Sequence, residues 1–170
     1  MQPALKPAPA PAVNIRLAAR ADTSLILSFI RELAEYEKLA HEVVATTEIL
    51  EQNLFGPNAH AECLIAEADG ESAGFALFFH SFSTFLGKSG IYLEDLYVRP
   101  SVRGAGLGKL LLKELAKIAI ERDCGRLEWS VLDWNQPAID FYHRIGATPL
   151  SDWTRNRLDR AAIEKLADAS

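Results

Sequence analysis

Val98-Arg99-Pro100-Ser101-Val102-Arg103-Gly104-Ala105-Gly106-Leu107-Gly108-Lys109 is the stretch that decides how this chain folds. Before it, Ile91–Val98 is a β-prone run. After it, Leu107–Arg122 sets Leu107, Leu111, Leu115 and Ile118 at helical spacing, so the segment reads as a strand-to-helix turn. Gly104, Gly106 and Gly108 at alternate positions let the backbone bend tightly with its N–H groups turned inward. The positive end of the next helix falls at the same point, which suits an anion such as a pyrophosphate. Two commoner phosphate loops fit worse. A Walker A loop wants glycine five positions before Gly108 and Ser or Thr after Lys109, where this chain has Arg103 and Leu110. A dinucleotide fingerprint is spaced G-x-G-x-x-G, against G-x-G-x-G here. The plain alternative is a glycine turn with no ligand.

Working outward, Val13–Leu17 is a short β-prone run. Asp22 is expected to cap an amphipathic helix carrying Ile26, Phe29, Ile30 and Leu33 and ending near Leu39. A second helix follows Thr46 or Thr47 and stops at Gly56-Pro57. Ala61–Ala68 and Ala73–Phe82, joined by Asp69-Gly70, read as a hairpin. Beyond the long helix, Leu127–Leu132 reads as a strand, Pro137 opens a helix ending near Gly146, Trp153–Leu158 is a last strand, and Ala161–Ala167 a last helix. Early strands together and later strands alternating with helices give an α/β class with a mixed, mostly antiparallel sheet. Pro3, Pro7, Pro9 and Pro11 alternate with alanine, so residues 1–12 are expected to be a disordered tail and 13–170 one domain.

Composition narrows the function. A chain of 170 residues with 49% hydrophobic content can bury a core without staples. Two cysteines, Cys63 and Cys124, fit a reducing compartment, and no apolar run reaches the ~20 residues of a membrane span. The start lacks a secretory apolar core, so a cytoplasmic location is expected. A net charge of −5 argues against general nucleic-acid binding. His41, His60, His80 and His143 show no metal-ligand spacing, and no metal is expected.

Several separated motifs carry a family resemblance. Arg103-Gly104-Ala105-Gly106-Leu107-Gly108 resembles the R-x-x-G-x-G/A signature of GCN5-related N-acetyltransferases (GNAT), which bind acetyl-coenzyme A. Leu33-Ala-Glu-Tyr-Glu-Lys-Leu39, Tyr92-Leu-Glu-Asp-Leu-Tyr-Val98, Val131-Leu-Asp-Trp-Asn-Gln136 and Phe141-Tyr142 with Gly146-Ala147 are similar to the diamine (spermidine/spermine) acetyltransferase subfamily, above all its thialysine branch. The resemblance implies the GNAT fold, a homodimer, and acetyl-coenzyme A held by Leu96, Tyr97, Val98, Arg103, Gly104, Ala105, Gly106, Leu107, Gly108, Lys109, Asn135 and Tyr142. It implies acceptor contacts at Tyr36, Glu37, Glu94, Asp95, Glu128, Trp129 and Ser130. Near Ser151-Asp152-Trp153 an acidic contact of the polyamine enzymes is shifted or missing, which favours a small diamine, lysine analogue or thialysine over a long polyamine.

The chemistry fits those residue types. A primary amine with pKa ~10.4 is about 0.04% neutral at pH 7, a cost of about 4.6 kcal/mol, so a basic group or a water path must remove its proton. Glu94 and Asp95 are adjacent in a strand, so only one faces the substrate unless a bulge re-aims the other. Glu94 is the expected base or amine-positioning group. Tyr142 is the expected general acid for the departing sulfur. Cys63 reads as a core thiol and Cys124 sits at the negative end of a helix, so direct transfer is expected over a covalent acetyl-enzyme. Between Arg31 and Glu62 lie seven acids and two bases; between Arg99 and Arg126, seven bases and three acids. That split suits an anionic cofactor and a cationic substrate, although Lys109, Lys113 and Lys117 equally make a solvated stripe. The rival readings are a protein lysine or N-terminal acetyltransferase and a non-catalytic acyl-CoA-binding module.

Overall fold

A computed structural model describes residues 11–169 of the chain. The elements run β1 (Val13–Leu17), α1 (Thr23–Tyr36), α2 (Thr47–Phe55), β2 (Glu62–Ala68), β3 (Glu71–Ser83), β4 (Lys88–Val98), α3 (Leu107–Glu121), β5 (Leu127–Trp129), α4 (Gln136–Arg144) and α5 (Arg160–Ala167). One sheet has the order β1-β2-β3-β4-β5. Its first four strands pair antiparallel, and β5 joins β4 in parallel after the α3 crossover. The mixed, mostly antiparallel α/β architecture is the expected one. The chain divides into two compact units, the first ending at Ser130 and the second beginning at Val131.

The first unit holds the whole sheet. On one face Ile26, Phe29 and Leu33 of α1 and Leu54 of α2 bury Cys63, Ile65, Phe75 and Tyr97. Phe29 stacks on Phe75 with ring centroids 5.5 Å apart. The alternate strand residues Leu64, Ala66, Ala76, Phe78, Ile91 and Leu93 are buried as well, as are Leu107, Leu111, Leu112, Leu115 and Ala119 of α3. Each buried aromatic or branched side chain contributes roughly 1.5–3 kcal/mol, and the two faces together hold the sheet rigid beneath its turns.

Local signals explain most of the element ends. Asp69 and Gly70, both at positive φ, make the two-residue hairpin turn. Thr46 caps α2 by accepting from the Ile49 N–H. Lys38, Asp123 and Gly146 are left-handed just past α1, α3 and α4, where Leu39, Cys124 and Ala147 donate back to Ala34, Ala119 and Tyr142.

Four expectations are corrected. Asp22 does not cap α1 with its carboxylate, because Arg16 and the Ala19 N–H already hold it at 2.7–2.9 Å. Ile118 is only half-buried, and Leu112 and Ala119 complete the buried stripe of α3. The strand expected over Leu127–Leu132 stops at Trp129. Trp153–Leu158 forms no strand: every residue of the run is exposed and none pairs with a strand, and β propensity without a partner is not enough. Residues 1–10 of the expected tail lie outside the described residues, while Ala12 exchanges two hydrogen bonds with Asp69.

Candidate active site

The glycine turn has the shape its sequence requires. After a single turn of 3-10 helix at Pro100–Val102, Gly104 and Gly106 take φ +88° and +81°, and Gly106 is the residue before α3. A side chain added at Gly104, Gly106 or Gly108 would meet no protein atom within 4 Å, so the concave side is open. The N–H groups of Leu107, Gly108 and Lys109 have no acceptor inside the helix and make a positive rim. Arg103 stands beside them. Its Nε donates to the Val98 carbonyl at 2.9 Å, and its guanidinium carbon lies 4.8 Å from the Tyr36 ring centroid and 5.8 Å from that of Tyr97. Helix terminus, open glycines and arginine form a matched set for an anion. Lys109, Lys113 and Lys117 are exposed, as a solvated stripe would be.

The strand entering this turn is broken by a bulge. Phe78 pairs with Leu93 and Leu77 with Asp95, so Glu94 has no counterpart on β3. Directly opposed residues share a face, so Leu77 carries Asp95 to the α1–α2 side, in one row with Cys63. Leu93, opposite Phe78, is on the other side. Without the extra residue, Leu93 and Asp95 would face the same way. The bulge thus lets the chain bury Leu93, bury most of Asp95 and expose Glu94. Burial, then the charges of Glu94 and Glu37, push the Asp95 carboxyl up to about 6. Burial also raises the Glu37 carboxyl, which sits just past the last turn of α1.

Past the bulge the sheet opens. Strand β5 pairs with Ile91, Tyr92 and Leu93 only, so among the described residues no strand covers that edge of Glu94–Val98, which includes Leu96, Tyr97 and Val98. On β5, Glu128 is ion-paired with Arg126 at 2.6 Å and half-buried Trp129 lies opposite Leu93; just past it, Ser130 hydrogen-bonds the Tyr92 hydroxyl at 2.7 Å. In the second unit, the Asn135 side chain caps α4 through the Ala138 N–H, and Tyr142 lies half-buried near the other end, its ring 5.3 Å from Phe141.

The sequence profile of the acetyltransferase (GNAT) family matches residues 27–147. The chain belongs to that family. This acetyltransferase is 40% identical to the thialysine N-epsilon-acetyltransferase of Sus scrofa and 41% identical to that of Bos taurus, each alignment covering 91% of the chain and 97% of the relative. Among solved structures it is similar to an integron cassette protein from the mobile metagenome of V. cholerae, with a TM-score of 0.77, 28% identity, and coverage of 92% and 98% of the two chains.

The acetyltransferase buries Cys63 away from any nucleophilic role. Cys63 is 3% exposed, and burial beside the charges of Asp22 and Asp95 pushes its thiol well above the usual range. Sequence reasoning missed the bulge as a fact and offered it only as a condition. Its signal was a break in alternation, since Ile91 and Leu93 keep a period of two and Glu94-Asp95 interrupts it before Leu96.

The raised Asp95 carboxyl has a stability consequence. Its folded pKa lies above the unfolded value of 3.8, so the native state binds the extra proton between pH ~4 and ~6 and stability falls as pH rises through that window. Moving the carboxyl from 3.8 to about 6 costs on the order of 3 kcal/mol once the group is ionised. Asp95→Asn is therefore expected to raise Tm at pH 8 and to leave it almost unchanged at pH 4. A variant less stable than the parent at pH 8 would show that the carboxylate is held by compensating contacts.

Proposed function

We propose that this acetyltransferase moves an acetyl group from acetyl-coenzyme A directly to a primary amine of a small cationic acceptor: a diamine, or a lysine-like amino acid such as thialysine. The observation that carries the reading is a carboxylate trio: Glu94 and Asp95 on the strand that runs into the anion turn, and Glu37 just past the end of α1. A carboxyl held near 6 with two further acids beside it makes a site that gains stability when a cation arrives. The thialysine activity of the relatives supports the same acceptor class.

The open edge of Leu96, Tyr97 and Val98 would hold the pantetheine amides of acetyl-coenzyme A. Arg103 and the N–H groups of Gly104, Ala105, Gly106, Leu107, Gly108 and Lys109 would hold its diphosphate. The cofactor supplies an acetyl thioester. Everything else is the work of the chain. Asp95 at about 6 lies roughly 4.4 units below an amine, so taking the proton outright would cost about 6 kcal/mol, more than the 4.6 for loss to water at pH 7. Asp95 and Glu37 therefore hold and orient the ammonium group. Exposed Glu94 passes its proton to solvent. Tyr142 donates to the departing sulfur, and Asn135 caps the start of its helix α4. Glu128, Trp129 and Ser130 remain candidates for the acceptor's far end. With Cys63 sealed in the core, transfer goes through a ternary complex. The assembly proposed is a cytoplasmic homodimer, a location supported by two unpaired cysteines.

The test is an acceptor screen with purified protein, following thiol release with thialysine, short diamines, ornithine, spermidine and lysine-containing peptides. Small diamines or thialysine are expected to give kcat/KM at least ~10-fold above peptides, from protein that runs as a dimer in light scattering. Turnover on peptides alone would move the acceptor class to protein amines.

A further inference from the structure

Two arginines flank the same 3-10 turn and are treated oppositely. Arg99 is neutralised: its guanidinium forks onto Glu32 at 2.8 and 3.0 Å and donates to the Ser72 carbonyl. Arg103 is held by neutral groups only, namely the faces of Tyr36 and Tyr97 and the Val98 carbonyl. Among the described residues no carboxylate lies within ion-pair distance of it, whereas Arg16, Arg20, Arg99, Arg122, Arg126 and Arg160 all have one.

A π face attracts and orients a guanidinium without cancelling its charge. An arginine ordered in this way keeps its fork of donors for a planar anion and has already lost the rotamer freedom that binding would otherwise cost it. Tyr97 is buried in the core and fixed by the sheet. Tyr36 is 37% exposed, the last residue of α1, and the nearer of the two rings.

We propose that Tyr36 is a positioning residue for Arg103, so that the end of α1 serves the anion turn. This rests on the reading that the turn takes the diphosphate of coenzyme A. It also separates two neighbours expected to act together: Glu37 faces the ammonium group through Asp95, while Tyr36 aims the cation that meets the diphosphate. The acceptor side and the cofactor side of the reaction then share one helix end, and its left-handed Lys38 closure fixes both.

Calorimetry with coenzyme A on the full chain, paired with steady-state kinetics, tests it. Tyr36→Leu is expected to raise the Kd for coenzyme A and the KM for acetyl-coenzyme A by ~3–10-fold, with the acceptor KM and kcat within about twofold. Tyr36→Phe keeps the ring and should restore cofactor affinity to within about twofold of the parent. In an Arg103→Gln background, Tyr36→Leu should have no further effect on that Kd. A rise in acceptor KM with unchanged cofactor affinity, or two substitutions that weaken binding additively, overturns the proposal. If Tyr36→Leu does not fold, Tyr36→Gln at the same exposed position carries the same measurement. A parent protein that binds no coenzyme A overturns both this and the function proposed above. A parent that binds it and a Tyr36→Leu variant that binds it as well overturn this inference alone.

Discussion

Gly106→Asp is expected to abolish coenzyme A binding while leaving the chain folded. The residue stands at φ +81° with no protein atom within 4 Å of where its Cβ would be, so an added side chain clashes only with what the turn binds. Aspartate tolerates the left-handed region better than most residues, and a carboxylate at the start of α3 interacts favourably with the helix dipole. Stability is therefore expected to stay within about 1–2 kcal/mol of the parent. Binding is another matter. A carboxylate about 4 Å from one phosphate charge costs about 1 kcal/mol in water and about 4 kcal/mol near a protein surface, and a diphosphate brings about two such charges. The expected loss of affinity is ~10²–10⁵-fold. Gly106→Asn supplies the same bulk without the charge and should lose no more than ~10-fold, which separates crowding from repulsion. Calorimetry on the two variants decides it: micromolar affinity retained by Gly106→Asp would remove the anion site from the turn.

What could be read from the sequence was what is decided within a few residues. The hairpin at Asp69-Gly70, the cap at Thr46, the turn at Gly104–Gly106 and the end of α4 at Gly146 each depend on a backbone angle or a cap that one or two residues dictate. The bulge at Glu94 depends on the register of β3 against β4, and nothing local to Leu93-Glu94-Asp95 fixes that register. The Arg103–Tyr36 stack joins residues far apart in the chain, and the sequence motifs assign Arg103 to the cofactor and Tyr36 to the acceptor rather than to each other. Asp22 failed as a cap for a related reason. It is the right residue type at the right place, but Arg16 competes for it across a turn. At Trp153–Leu158 the reverse occurred: local β propensity predicted a strand, and no ladder exists there to receive one.

The same distinction between local chemistry and distant context governs the last expected result. Tyr142→Phe should lower kcat by ~10²–10⁴ with little change in fold or cofactor affinity. Helix α4 is only nine residues long, but both ends are closed: Asn135 and Pro137 at its start, and at its end the Tyr142 carbonyl, which accepts the Ala147 N–H at 3.0 Å. Phenylalanine keeps that backbone and the ring contact with Phe141. Loss of one hydroxyl costs about 1 kcal/mol of stability, too little to unfold the chain. The kinetic effect has a different origin. A phenol ionises near ~10 and a thiol near ~8.5, so complete proton transfer to the sulfur is uphill by about 2 kcal/mol in water. The hydroxyl acts by donating to charge as it develops on the sulfur, where a fixed donor in a dry site is worth more than one in water. The coenzyme A Kd should therefore stay within about twofold while kcat falls, and any fall in rate at alkaline pH that reflects loss of that proton should vanish in the variant. A kcat within about threefold of the parent, with an unchanged pH profile, would assign protonation of the sulfur to solvent and leave Tyr142 a packing residue of α4.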